Sequence, residues 1–216
     1  MTGPILHNYF RSSTSTRLRA ALNLKGLDYE YVAHHLLKGE HRSSAYLSIN
    51  PQGLVPALVL NDGTALIQSL AIIEYLDEVH PEPALLPKAP VDRARVRALA
   101  YAVACDIHPL NNLRVLRYIK SAFGADDEAT ADWFRHWVDE TFVPIEAMLA
   151  EDKRTGRFCH GDLPGLADTC LYAQVLNNRR FSIDMSRYPT VSRIFEECAA
   201  MQEFQQAAPN NQPDAE

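Results

Sequence analysis

The sequence predicts an α/β domain built on a small mixed sheet, followed by an all-helical domain. Strand-like and helix-like segments alternate over the first eighty or so residues, prolines crowd residues 80–90, and only helical patterns follow. The length of 216 residues exceeds that of a typical single domain, which is about 100–150 residues. We therefore expect one domain over residues 1–82 and a second over residues 90–216.

The first segment predicts a strand, a helix and a parallel strand. Residues 5–10 form an apolar and aromatic run that is typical of a strand. Hydroxyl side chains at residues 12–15 then offer caps for a helix, and Lys25-Gly26 supplies its stop signal. Residues 29–32 form the second predicted strand. A strand, a helix and a strand in so short a span imply parallel pairing with a right-handed crossover.

A hairpin and a further helix complete the predicted first domain. Val55-Pro56 introduces a strand over residues 57–60. Asn61-Asp62-Gly63-Thr64 is a strong hairpin signal, so residues 65–67 should return antiparallel. A helix is expected over residues 70–79. The predicted order is βαβαββα with a mixed four-stranded sheet, which is a thioredoxin-like arrangement.

Residues beyond the proline-rich linker predict helices only. Proline at this density suits neither helix nor sheet. The expected helices span residues 91–120, 127–150, 166–179 and 190–206. Residues 209–216 are polar, and we expect them to be disordered.

Composition and charge exclude several classes of function. The net charge of −6 and the pI of about 5.7 argue against a nucleic-acid binder, which would present a basic face. No secretory signal is evident, and no stretch approaches the roughly 18 consecutive apolar residues that suggest a membrane span. The four cysteines form no Cys-x-x-Cys pair. We therefore expect a cytoplasmic protein with reduced thiols, no metal site and a buried Cys105.

The hydroxyl-rich start of the first helix is the most informative segment. A helix N-terminus stabilises a nearby anion such as a thiolate, but this one carries Ser12, Ser13, Thr14 and Ser15 and no cysteine. The sulfur would then come from a bound cofactor, although the same hydroxyls could simply cap the helix. We expect a cis peptide at Val55-Pro56 and a second anion site at Gln68-Ser69. Together these features suit glutathione.

The chain resembles the zeta class of glutathione transferases over nearly its whole length. The stretches that carry the resemblance are Ser12-Ser13-Thr14-Ser15-Thr16-Arg17-Leu18-Arg19, Asn50-Pro51-Gln52-Gly53-Leu54-Val55-Pro56, Gln68-Ser69-Leu70-Ala71-Ile72-Ile73-Glu74-Tyr75-Leu76, Asp106-Ile107-His108-Pro109-Leu110-Asn111-Asn112, and Arg180-Phe181 with Tyr188-Pro189. The sequence departs from the class at Thr14, where cysteine is usual, and at Gly165, where the superfamily usually has a hydroxyl residue that caps a helix.

The resemblance implies the glutathione transferase architecture, a homodimer and the roles of individual residues. Ser12, with Thr14 second, would donate to the glutathione thiolate, and Arg11 would lie beside the reacting sulfur. The residues implied in holding glutathione are Ser12, Thr14, His41, Gln52, Val55, Gln68, Ser69, Asp106, His108 and Asn112. Those implied in holding a small dicarboxylate substrate are Arg11, Arg114 and Arg180, because guanidinium groups bind carboxylates with paired hydrogen bonds. Arg17 and Arg19 are expected to be structural.

The resemblance further implies a glutathione-dependent cis–trans isomerase that converts maleylpyruvate to fumarylpyruvate in gentisate-type aromatic breakdown. Three alternatives remain open. The substrate could be maleylacetoacetate, from tyrosine breakdown, because the two compounds share the maleyl group. The chain could be a broad-range conjugating transferase, which needs no convergent arginines. It could also be a non-catalytic interaction module, although such a module would not need the hydroxyls.

Overall fold

A four-stranded mixed sheet forms the centre of the first of two compact units in the computed structural model, which describes residues 3–216. The strand order is β2-β1-β3-β4. Strand β1 (Ile5–Asn8) pairs in parallel with β2 (Glu30–Ala33) and antiparallel with β3 (Ala57–Val59), which pairs antiparallel with β4 (Ala65–Ile67). The predicted hairpin is confirmed, and Gly63 occupies its positive-φ position at 86°.

Among residues 3–216, four helices belong to the first unit. They are α1 (Ser13–Leu24), α2 (Ser44–Ile49), α3 (Ser69–Val79) and α10 (Gln202–Ala207), with 3₁₀ turns at Glu40–Arg42 and Pro209–Asn211. Ser12 caps α1, as predicted, and Ser43 caps α2. The order βαβαββα is thus confirmed for the part of the chain that was expected to form the sheet domain.

The second unit, Leu86–Cys198, is helical. Its helices are α4 (Pro90–Tyr101), α5 (His108–Leu110), α6 (Leu113–Phe123), α7 (Asp127–Glu151), α8 (Leu166–Arg180) and α9 (Pro189–Ala199), with a π-helical segment at Ala102–Ile107 and a 3₁₀ turn at Met185–Arg187. The prediction of one helix over residues 91–120 is wrong. The chain passes through the π-helical segment, and Asn112 then caps a new helix.

Helix α8 begins normally despite the glycine at its cap. Asp168 accepts hydrogen bonds from the backbone N–H of Gly165 and of Cys159, both at 2.8 Å. The carboxylate is buried and satisfies two donors that would otherwise be orphaned. The side chain of Asp168 therefore stabilises the helix start where a hydroxyl cap is missing.

Residues 199–216 belong to the first unit, whereas the sequence placed them with the helical domain. The first unit runs through Leu85 and takes in Ala199–Glu216. The predicted helix over residues 190–206 is correspondingly two helices, α9 and α10, with a break at Ala200 and Met201. Asn23 on α1 donates to the carbonyl of Glu203 at 2.8 Å, which attaches α10 to the first unit.

The predicted disorder of residues 209–216 is wrong. Their backbone forms a 3₁₀ turn, and Gln212 donates to the carbonyls of Gln206 and Ala208 at 2.7 and 2.8 Å. The hydroxyl of Tyr31 on β2 donates to Asp214 at 2.5 Å. A polar composition suggested disorder, but the polar groups are used in specific hydrogen bonds.

Cys105 is exposed, which corrects the expectation that it is buried, whereas Cys159, Cys170 and Cys198 are buried. All four are free thiols. Within residues 3–216, none of the helices combines the length and apolar character that crossing a membrane requires.

Arg19 on α1 is completely buried, and its guanidinium joins three parts of the first unit. It donates to the side chain of Asn8 at 2.8 Å, to the carbonyl of Phe10 at 3.0 Å and to the carbonyl of Ala207 at 2.9 Å. A further bond reaches the hydroxyl of Thr16 at 3.0 Å. A buried guanidinium is tolerated only when its donors are satisfied, so Arg19 is structural, as predicted.

Lys25 closes the other end of α1. Its ammonium group, fully buried, donates to Asp77 at 2.6 Å and to the carbonyls of His80 and Pro83 at 2.6 and 2.7 Å. Asp77 also accepts from the backbone N–H of Leu85 at 2.7 Å. The proline-rich residues up to Leu85 are thereby fastened to the first unit.

His7 on β1 and His34 after β2 form a hydrogen-bonded pair, with Nδ1 of His7 and Nε2 of His34 2.9 Å apart. The bond requires one ring to accept, so at least that ring is neutral. Burial lowers the pKa of both rings. Glu30 partly offsets this for His7, while for His34 the neighbouring His7 and His41 add to the lowering and Glu40 opposes it.

Replacing Arg19 with Met should lower the free energy of unfolding by at least about 1–3 kcal/mol, the cost of leaving a buried hydrogen-bond acceptor unsatisfied. The loss leaves the acceptors of Asn8, Phe10 and Ala207 without a donor. Urea denaturation measures the change. Arg135→Met on the exposed face of α7 is the matched control and should change stability by less than about 0.5 kcal/mol; equal effects would contradict a special role for Arg19.

Stability should fall as the pH drops below the ordinary histidine pKa of 6.5. Because the folded-state pKa values are lowered, the unfolded chain binds more protons in the window below 6.5, so acid favours unfolding. In His34→Gln, the urea midpoint should change less with pH than in wild type. The comparison covers roughly pH 6.5 to 5, the range in which histidine rings of this kind titrate. His80→Gln, at an exposed ring, should keep the wild-type slope; an unchanged slope in His34→Gln would refute the assignment.

Candidate active site

The start of α1 carries a chain of three hydrogen-bonded groups. The hydroxyl oxygens of Ser12 and Thr14 lie 2.7 Å apart, and the Thr14 hydroxyl donates to the carbonyl of Val55 at 2.9 Å. Since a hydroxyl has one proton, Ser12 is the donor in its bond to Thr14. Ser12 also accepts from the backbone N–H of Ser15 at 3.3 Å. Three of the residues implied in holding glutathione are thus brought together.

The accessibility of this helix changes abruptly along its first turn. Residues 11–14 are half-buried, whereas residues 15–22 are buried. Ser12 and Thr14 therefore keep some solvent-accessible surface at the positive end of the helix dipole. The first unit contains no cysteine. An anion at this position would receive its hydrogen bonds from hydroxyl and backbone donors.

Buried side chains hold the backbone of the loop that carries Val55. The peptide between Val55 and Pro56 is cis, which confirms the expectation. The carbonyl of Leu54 accepts from the hydroxyl of Tyr46 at 2.6 Å and from the side chain of Asn50 at 2.7 Å. Tyr46 is almost completely buried. These bonds fix the backbone immediately before Val55.

Gln68 and Ser69, which the sequence predicts to be a second anion site, lie at the start of α3. Ser69 is buried at the start of α3, and exposed Gln68 precedes it with φ 69° and ψ 109°. Such a backbone conformation in a residue other than glycine costs on the order of 1–3 kcal/mol and is concentrated at functional sites. The side-chain amide of Gln68 donates to that of Gln52 at 2.9 Å, so these two predicted residues also meet.

Arg42 supports the same loop and was missed by the sequence analysis. Its guanidinium donates to the carbonyl of Gln52 at 3.2 Å and packs against Gly53, which has a φ of 58°. The predicted residue His41 lies beside it in the 3₁₀ turn Glu40–Arg42. No local motif distinguishes Arg42, because its partner is ten residues away in the chain.

Arg11 is held by aromatic side chains. Its guanidinium carbon lies 4.8 Å from the centre of the Phe10 ring, and one of its nitrogens donates to the hydroxyl of Tyr9 at 3.3 Å. The side chain is 31% exposed, and Glu216 lies 3.9 Å away. Arg11 thus keeps an accessible positive charge next to the hydroxyl run.

The second unit contains the other predicted residues, and two of them meet there. The amide nitrogen of Asn112 donates to Nε2 of His108 at 3.3 Å, which places the ring proton on Nδ1. Asn112 also caps α6, accepting from the backbone N–H of Arg114 at 3.1 Å. Asp106 is exposed on the π-helical segment. Segments of this kind occur often at functional sites.

Helix α7 supports residues 108–112 through two bonds that the sequence did not reveal. Trp133 donates from its indole to the carbonyl of Leu110 at 3.0 Å, and buried Asn111 donates to the carbonyl of Phe134 at 3.1 Å. Trp133 and Trp137 also contact each other edge to face. No sequence signal indicated the bond from Trp133 to Leu110.

The two remaining arginines of the prediction are exposed. Arg114 lies in the first turn of α6, and Arg180 is the last residue of α8. The guanidinium carbon of Arg180 is 5.4 Å from the centre of the Phe181 ring, which stacks on Phe134 at 4.0 Å. The predicted site residues are therefore divided between the two units, and the cationic residues occur in both. Among residues 3–216, no group of three or more His, Cys, Asp or Glu side chains is placed to hold a metal ion.

Comparison with known proteins identifies the family. Residues 6–84 match the family described as glutathione S-transferase, N-terminal domain. The chain is 50% identical over 210 residues to a maleylpyruvate isomerase of a Ralstonia species, covering 97% of this chain and 99% of the relative.

Two solved structures are similar over nearly the whole chain. One is a holo maleylpyruvate isomerase described as a bacterial zeta-class glutathione S-transferase, with a TM-score of 0.95, 49% identity, and coverage of 98% of this chain and 99% of the other. The second is a maleylacetoacetate isomerase from Methylobacterium extorquens AM1 with bound malonate and glutathione, with a TM-score of 0.94, 42% identity, and coverage of 98% and 99%. The chain therefore belongs to the zeta class of glutathione transferases.

Proposed function

We propose that this protein is a glutathione-dependent cis–trans isomerase that converts maleylpyruvate to fumarylpyruvate. The observation that carries the proposal is the hydrogen-bonded chain Ser12–Thr14–Val55 at an accessible helix N-terminus, in a unit that has no sulfur nucleophile of its own. The similarity to isomerases of maleylpyruvate and maleylacetoacetate supports the reaction class.

The donor groups of the first unit fit glutathione. The hydroxyls at the start of α1 suit a thiolate, and the start of α3 with the Gln52–Gln68 amide pair suits a carboxylate. The backbone of Val55 and the side chain of His41 would hold the peptide between these ends. In the second unit, Asp106, His108 and Asn112 would add polar contacts.

Bound glutathione would supply a thiolate that adds reversibly to the substrate double bond, which leaves a single bond free to rotate until elimination restores the double bond in the trans form. The chain's task is to keep this sulfur ionised. A free thiol has a pKa near 8.5, so only about 3% is thiolate at pH 7. Lowering that pKa by about two units stabilises the anion by about 2.7 kcal/mol.

Ser12 would supply this stabilisation by turning its proton from Thr14 to the sulfur. The Thr14 hydroxyl is committed to the Val55 carbonyl, so it remains an acceptor that holds Ser12 in place until sulfur binds. In this arrangement Ser12 is the main donor and Thr14 mostly orients it.

Arg11, Arg114 and Arg180 would bind the carboxylates of the substrate. Each can form two parallel hydrogen bonds to a carboxylate, and all three retain solvent-accessible surface. Maleylacetoacetate is the second candidate substrate, because relatives of similar sequence identity are named as isomerases of one compound or of the other. We also propose a cytoplasmic homodimer, as the zeta-class resemblance and the free thiols suggest.

The protein should convert maleylpyruvate only when glutathione is present, without consuming it. Ultraviolet absorbance of maleylpyruvate and of maleylacetoacetate, followed with and without glutathione, measures this directly. The higher kcat/KM identifies the preferred substrate. Equal rates without glutathione would refute the mechanism. A conjugating transferase would instead deplete glutathione and tolerate Met at Arg11, Arg114 and Arg180.

Ser12→Ala should lower kcat/KM by about tenfold to a hundredfold, the equivalent of a hydrogen bond to a charged group worth roughly 1.5–3 kcal/mol. The thiol pKa of bound glutathione, read from thiolate absorbance, should rise. Thr14→Val should have the same effects to a smaller extent, because Thr14 acts through Ser12. Ser44→Ala, at the exposed first position of α2, is the matched control and should stay within about twofold of wild type. A larger loss in Thr14→Val than in Ser12→Ala would reverse the two roles.

A further inference from the structure

The segment comprising residues 209–216 lies beside the strand–helix junction of the first unit. Its own backbone is fixed by the 3₁₀ turn Pro209–Asn211 and by the side chain of Gln212, which is largely buried. From this base the chain carries Asp214 and Glu216 to the residues that precede α1. The segment therefore brings two carboxylates to the edge of the proposed sulfur site.

The carboxylate of Asp214 uses each of its oxygens for a different donor. One oxygen accepts the backbone N–H of Phe10 at 3.1 Å, and the other accepts the hydroxyl of Tyr31 at 2.5 Å. Burial and the bond to Asp214 raise the pKa of the Tyr31 hydroxyl well above its usual range, so it remains a donor. The two bonds link residues that are 204 and 183 positions apart from Asp214 in the chain.

Phe10 immediately precedes Arg11 and Ser12, the residues proposed to meet the substrate and the sulfur. Its N–H is bound by Asp214 and its carbonyl by Arg19, at 3.0 Å, so the residue is held on both polar sides. Its ring also lies under the guanidinium of Arg11. The direction in which the backbone leaves Phe10 sets where Arg11 and Ser12 point.

We propose that Asp214 is a positioning residue for the isomerase reaction, which acts by fixing Phe10 so that Arg11 meets the substrate carboxylate and Ser12 meets the sulfur. The inference rests on the proposed function. Misplacement of a binding or reacting group by about 1 Å can cost on the order of a hundredfold in rate. Asp214 touches neither ligand, and its effect is transmitted through the backbone of Phe10.

Glu216 provides a matched comparison within the same segment. Its carboxylate lies 3.9 Å from Arg11 and 3.1 Å from His35, and it is about half exposed. An exposed ion pair of this kind contributes little. Glu216→Gln removes one negative charge, as Asp214→Ala does, but leaves the Phe10 backbone bond in place.

The test compares Asp214→Ala, Asp214→Asn and Glu216→Gln in the full chain, by KM and kcat for maleylpyruvate and by the thiol pKa of bound glutathione. Asp214→Ala should raise KM about tenfold, the effect of losing an interaction of about 1.4 kcal/mol, and should raise the thiol pKa. Asp214→Asn should restore both to within about threefold, because its amide can accept from Phe10 and donate to the Tyr31 oxygen. Glu216→Gln should behave as wild type.

Wild-type KM and thiol pKa in Asp214→Ala, or a loss of thermal stability with neither value changed, would overturn the proposal. If Asp214→Ala does not fold, Tyr31→Phe is the second variant, because it removes only one of the two bonds to Asp214. It should raise KM by about threefold, for a net hydrogen bond of roughly 0.5–1 kcal/mol, and should also raise the thiol pKa. Unchanged KM and thiol pKa in Tyr31→Phe would overturn the proposal. If wild type binds glutathione but does not convert maleylpyruvate, the proposed function fails, while the thiol pKa still decides the role of Asp214.

Discussion

The buried guanidinium of Arg19 is the interaction on which the rest of the proposed glutathione site depends. It lies beneath the point where β1 ends and α1 begins, and it binds carbonyls on both the junction and α10. Burying such a charge is unfavourable unless its donors are satisfied. The neutral acceptors around Arg19 therefore have to occupy fixed positions. That requirement determines the path of the backbone through Phe10 and, with it, the position of Ser12.

The surface above this buried network carries the donors that the proposed glutathione thiolate would need. Hydroxyls occupy the only accessible part of the first turn of α1, and the Thr14–Val55 bond ties that turn to the cis-proline loop. The hydroxyl oxygens of Ser12 and Thr14 are held in place before any ligand arrives. Polar groups that are already held in position need little reorganisation when charge develops, so a rigid junction favours a low pKa for a thiol bound there.

In the helical unit, too, neighbouring side chains hold the predicted polar residues in fixed positions. The π-helical segment and Pro109 interrupt what would otherwise be a continuous helix, and Asn112 starts the next one while orienting His108. Trp133 stabilises the interruption from α7. The irregular backbone carries the predicted polar residues, and the indole of Trp133 satisfies the carbonyl of Leu110.

The sequence by itself determined the local structure of this protein. Hydroxyl caps, Asn61-Asp62-Gly63-Thr64 and Val55-Pro56 act over a few residues, and each gave the structure expected of it. The tertiary structure decided the breaks around residues 102–112, the return of residues 199–216 to the first unit, and the partners of Arg19 and Asp214. These features depend on groups brought together from up to about two hundred positions apart, and such long-range pairings leave no periodic or motif signal in one sequence.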